Sequence, residues 1–116
     1  MISFKVPELY HCPMCWFAKE FLCNQSVTIS IEEKDLGQTL GFCTALEDEF
    51  LIEVNINQKD MEKITTFFHE CMHILQHLDA EPRDEFEAET FESILLDRYT
   101  KSHYTIFVKD EGLLGL

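Results

Sequence analysis

Apolar and polar positions along the chain fall into a short series of periodic segments. Trp16, Phe17, Phe21 and Leu22 recur at helical spacing, so a first helix is expected from Pro13 to Cys23, ended by Asn24-Gln25-Ser26. Val27-Thr28-Ile29-Ser30-Ile31 alternates apolar with polar, the pattern of a strand buried on one face. Asp35-Leu36-Gly37 is a turn, and Leu40 to Leu46 reads as a second, less regular strand. Glu47-Asp48 turns the chain into a third strand, Phe50 to Ile56, with Phe50, Ile52, Val54 and Ile56 on one face. Three such strands predict a short antiparallel sheet with one face left for a helix.

The longest uninterrupted segment follows. From Met61 to Leu78 there is no helix breaker, and Ile64, Phe67, Phe68, Cys71, Met72, Ile74, Leu75 and Leu78 cover most of a helix's circumference. Such a helix is buried on several sides. Asp60 is the expected N-cap, without a full capping box because Lys63 rather than Glu stands three residues on. Asp79-Ala80-Glu81-Pro82 stops the helix, and a second one is expected from Arg83 to Tyr99. Tyr104-Thr105-Ile106-Phe107-Val108 reads as a last strand, and Glu111 to Leu116 is apolar but interrupted by glycine. With no repeat or linker in view, residues 1–116 predict one α+β domain.

Composition narrows the function. An apolar content of 46% with ten Phe argues for a packed core, and a net charge of −13 argues against nucleic acid and anionic membrane surfaces as partners. No apolar run reaches the length of a membrane span, and Met1-Ile2-Ser3-Phe4-Lys5 lacks the order of a signal peptide. A cytoplasmic location with five reduced cysteines is therefore expected.

Within the long helix the chain reads His69-Glu70-Cys71-Met72-His73. Residues four apart share a helix face, so both imidazoles can reach one ion with Glu70 beside them. Neutral imidazole suits Zn²⁺, which lowers the pKa of a bound water to roughly 7, and the adjacent carboxylate can act as general base. The same residues would also suit a core helix with two satisfied histidines. A catalytic site needs a third ligand, and the second helix offers Glu85, Glu87, Glu89 and Glu92. At about 100° per residue, Glu85 and Glu92 lie within about 65° of the inward stripe Ala88, Phe91, Leu95 and Tyr99, Glu89 lies further off and Glu87 faces away. Glu85 is the first choice and Glu92 the alternative. His77 turns about 80° from His69 and reads as a neighbour of the site or an exposed residue.

His69-Glu70-Cys71-Met72-His73-Ile74-Leu75-Gln76-His77, then Glu85-Phe86-Glu87-Ala88-Glu89-Thr90-Phe91 and Leu95-Leu96, resembles the ImmA/IrrE-like zinc metallopeptidases. The resemblance covers roughly Phe50 to Leu96. It implies a small zincin-like domain with His69, His73 and Glu85 as zinc ligands and Glu70 as general base. It also implies an extended peptide held beside the metal along an edge strand, either Phe50 to Ile56 or Leu40 to Leu46. Members of that family cut or inactivate repressors in bacteria and their phages, so a protein substrate is expected. Peptide hydrolysis also needs an oxyanion donor besides the metal, and the candidates are His77, Tyr99, His103 and Tyr104.

Two other classes fit the same residues. One is a non-catalytic zincin, a binding module whose metal only fixes the fold. The other uses Cys12-Pro13-Met14-Cys15, with His11 and Cys23 nearby, as a redox dithiol or half of a zinc knuckle. The plainer expectation for that pair is a helix-start turn with buried thiols.

Overall fold

Alternation of apolar side chains builds the sheet on which the rest of the molecule rests. In a computed structural model that describes the backbone of residues 2–111 and the side chains of 2–102, the strands are β1 (Ile2–Lys5), β2 (Val27–Lys34), β3 (Gly41–Leu46) and β4 (Glu49–Asn55). The helices are α1 (His11–Phe21), α2 (Asp60–Leu78) and α3 (Glu85–Glu111). The class is α+β, as the sequence predicts. Val27, Ile29 and Ile31 of β2, with Phe50, Ile52 and Val54 of β4, point into the core. Ile56, expected on that same face, lies beyond the end of β4 and is exposed.

The sheet is mixed rather than antiparallel. Its order is β1-β2-β4-β3, with β1 and β4 both parallel to β2 and only β3 and β4 antiparallel. The loop after β2 carries the chain past the place of β4, so the β3–β4 hairpin returns β4 between β2 and β3 in the direction of β2. Buried Asn55 holds that loop, donating from Nδ2 to the carbonyls of Gly37 and Thr39, each at 2.9 Å. β1 joins through the crossover of α1, a connection that short antiparallel sheets do not need.

The alternation of β3 is irregular because its core-facing residues are small. A Cβ placed on Gly41 would sit 2.6 Å from Thr66 Cγ2 and 3.0 Å from the Glu53 carbonyl, so β3 lies against α2 at the limit of contact. The buried faces of α1 and α2 meet through rings, with Phe17, and Tyr10 just before α1, on Phe67 and Trp16 edge-on to Phe68. Burial runs nearly round α2, as its apolar pattern predicts.

Both long helices start differently from expectation. The N-cap of α2 is Lys59, and the Glu62 carboxylate accepts its N–H at 2.9 Å, half of a capping box because a lysine side chain has no acceptor. Asp84 caps α3, its Oδ1 accepting the Glu87 N–H at 3.1 Å, so Arg83 belongs to the linker. Residues 104–108, expected as a strand, are part of α3. The segment 112–116 lies outside the described residues. Among those described, no helix is long and apolar enough to cross a membrane.

Candidate metal centre

The two ring-bearing turns of α2 face the first turns of α3 across the tight linker. His69, His73 and Glu85 each offer an atom there, all within 4.8 Å of one another. His69 Nε2 lies 2.8 Å from Glu85 Oε2, and His73 Nε2 lies 3.0 Å from Glu85 Oε1. Ligand bonds of about 2.0–2.2 Å in a tetrahedral site imply atoms roughly 3.3 Å apart, so a small opening accommodates an ion.

The protonation of His73 is set by its neighbours. Gln76 Oε1 accepts the Asp84 N–H at 3.2 Å, while Gln76 Nε2 donates to the Asp84 carbonyl at 3.0 Å and to Glu87 Oε1 at 2.8 Å. With the amide so oriented, the His73 Nδ1 that lies 2.8 Å from Gln76 Oε1 must donate. Its Nε2 is therefore left as a lone pair, buried, aimed at Glu85 and His69 and without a hydrogen-bond partner. A second-sphere acceptor on one ring nitrogen is the usual companion of a metal on the other. Burial also lowers the His73 pKa, partly offset by the Gln76 bond, which favours the neutral ring.

Glu92 plays a different part from the one expected of an alternative ligand. Its Oε1 lies 3.7 Å from His69 Nδ1, on the side of the ring away from Glu85. It lies within ion-pair reach of His69, without the short hydrogen bond that Gln76 makes to His73. Burial raises the Glu92 pKa, against the pull of His69. For Glu85, burial is outweighed by the hydrogen bond from His69 and the charges of His73, His69 and Arg83, which hold its carboxyl below the usual range.

Glu70 points from the same face of α2 into the cleft beside His69 and is 4% exposed. Burial pushes its pKa up to about 7, although His69 and Arg83 pull the other way. Its Oε1 has no hydrogen-bond partner and lies 3.7 Å from Arg83 Nη2. A carboxylate poised near neutrality next to converging ligands is the electrostatic profile of a general base. The cleft above holds about 660 Å³, between Thr39–Phe42 at the start of β3 and Glu85, Glu89 and Glu92 of α3.

Two of the expected oxyanion donors, His77 and Tyr99, do not line the large cleft. His77 is exposed and packs edge-on against Phe50 at 5.4 Å, and Tyr99 stacks with Trp16 and Phe68 on the far side of α2. The side chains of His103 and Tyr104 lie outside the described residues. Cys12, Cys15 and Cys23 are exposed thiols rather than buried ones, since α1 turns its Met14, Phe17 and Ala18 face to the core. His11 Nε2 donates to the Val6 carbonyl at 3.0 Å. Among the described residues the His69, His73 and Glu85 group is the only metal-type cluster.

Sequence reasoning passed over Gln76 and Arg83, and it turned Glu87 away from α2, whereas Glu87 Oε1 accepts from Gln76 Nε2 at 2.8 Å. Gln76 stands three residues after His73, a spacing that puts the two on one helix face and could have singled it out. Comparison with family models, curated proteins and solved structures yields no match to this chain.

Proposed function

We propose that the protein is a zinc-dependent peptidase of the kind its motifs resemble, the ImmA/IrrE-like metallopeptidases. The observation that carries this reading is the forced tautomer of His73, whose orphaned Nε2 converges with His69 and Glu85 beside a buried carboxylate. His69, His73 and Glu85 would hold the ion. When bound, zinc supplies Lewis acidity, polarising a carbonyl and bringing the pKa of its water to roughly 7.

Glu70 takes one proton from the attacking water as its oxygen bonds to the peptide carbonyl carbon. When the carbon–nitrogen bond breaks, Glu70 returns that proton to the leaving amine. Arg83 places a positive charge beside the Glu70 carboxylate from the linker, and Gln76 keeps the His73 ring aimed. The substrate is a protein segment in extended form, paired with the open edge of β3 through main-chain hydrogen bonds. β4 lies inside the sheet, which leaves β3 as the strand for that role. A repressor or other regulatory protein is the substrate class the resemblance suggests.

Three preparations test the reading. The wild type loaded with zinc should cut a degenerate decapeptide library, read by mass spectrometry. Glu70→Gln should keep zinc and lose cleavage by a factor of 10²–10⁴. His69→Ala should not retain zinc. Full cleavage by Glu70→Gln would discard the enzyme and leave a metal-stabilised binding module.

A further inference from the structure

Strand β3 presents its main chain in two directions. Asn55 donates its N–H to the Leu40 carbonyl at 2.8 Å, and the alternation of an antiparallel pair then turns the amides of Phe42, Thr44 and Leu46 toward β4. Those of Gly41, Cys43 and Ala45 face the open edge. One of these outward carbonyls is already taken, because Arg83 Nη1 donates to the Cys43 carbonyl at 3.0 Å. The guanidinium is also held from behind, with Nη2 3.7 Å from Glu70 Oε1 and Nε 3.6 Å from Glu85 Oε1. One hydrogen bond and two carboxylates within ion-pair reach bias the guanidinium toward this position, as nothing does for a free surface arginine.

The space on the two sides of this crossbar is unequal. Toward Thr39 and Phe42 the cleft holds about 660 Å³, and toward Cys43 and Ala45 it holds about 150 Å³. Arg83 lines both compartments. His69 and Glu70 open onto the large one, His73 and His77 onto the small one. A chain running over the ligand group along β3 must therefore either stop at Arg83 or displace it from Cys43.

We propose that Arg83 sets the reach of the substrate: it closes the Cys43 end of the β3 edge, so that a bound peptide extends only toward Gly41. This rests on the peptidase reading and adds a specificity-determining residue to it. The cleft then favours a substrate that is short on one side of the scissile bond and long on the other. Removing the guanidinium frees the Cys43 carbonyl as an acceptor and joins the two compartments.

The test needs no knowledge of the natural substrate. Zinc-loaded protein is titrated calorimetrically with peptide hydroxamates, whose headgroup anchors on the metal, in two series that lengthen from one to four alanines on either side of that anchor. For the wild type, affinity should rise with length in one series and stay flat in the other. Arg83→Ala should make the flat series rise, by about three- to ten-fold for the first residue that can pair with Cys43. Arg83→Gln, which keeps much of the side-chain stem, should behave likewise, and zinc content is measured for each variant. Length profiles that rise on both sides in the wild type, or that Arg83→Ala and Arg83→Gln leave unchanged, overturn the role of Arg83 while the metal centre stands. Hydroxamates that do not bind the zinc-loaded wild type at all would overturn the metal-centre reading and the proposal together.

Discussion

One proton on the His73 ring is placed by an amide that itself makes three further hydrogen bonds. Replacing Gln76 by Leu keeps its volume but removes the acceptor, so the ring can turn or change tautomer. Metal affinity should fall by roughly 10–100-fold, measured by competition with a chromophoric chelator, with the fold intact by circular dichroism. Glu70 gives a second residue-level expectation. Its folded pKa of about 7 is raised above the unfolded value, so its contribution to stability is complete below about pH 4.5 and is lost as the pH climbs toward 7. In metal-free protein the stability of Glu70→Gln relative to wild type should therefore grow by about 3 kcal/mol between pH 4.5 and 8. Urea unfolding in excess chelator measures it, and parallel curves would show that burial does not act on Glu70 as described. The pairing of His69 and His73 was legible from their spacing. The spacing of Gln76 from His73 was legible too, but its orientation was not, because it depends on the Asp84 backbone, which a different turn would have placed elsewhere.

At the scale of elements, the contact of β3 with α2 decides the shape of the cleft. Gly41→Ala drives a Cβ into the Thr66 methyl, and the Glu53 carbonyl on the other side leaves the strand little room to retreat. A cost of about 1–3 kcal/mol is expected in denaturant unfolding. Thr66→Ser removes that methyl while keeping the hydroxyl that donates to Gln58 Oε1, and the double variant should recover most of the loss. Periodicity found β2, β4 and α2, since each has apolar residues on a face that must be buried. It missed β1, whose four residues are too few to show alternation and which is secured by the crossover through α1. It misread 104–108 because β-branched and aromatic residues carry only a weak strand preference, whereas extending an existing helix adds one bond for each residue fixed.

For the molecule as a whole, an ion held by His69, His73 and Glu85 would bridge α2 and α3 across a linker of a few residues. Binding to the folded state alone should raise stability by about 4 kcal/mol at a free zinc concentration 1,000-fold above Kd. Thermal unfolding with zinc, and again after chelation, should show that gain appear and vanish. His69→Ala should unfold at the same temperature with or without zinc, and an equal rise in that variant would place the binding elsewhere.

The spacing of His69, Glu70 and His73 along one helix was settled by the chain alone, because a helix repeats every 3.6 residues whatever surrounds it. So was the choice of apolar faces, which follow from burial. Which glutamate meets the histidines, which lies beside one ring, and which strand forms the open edge depended on how the hairpin returns and how tightly the linker turns. Those are contacts between residues distant in sequence, and no local period encodes them.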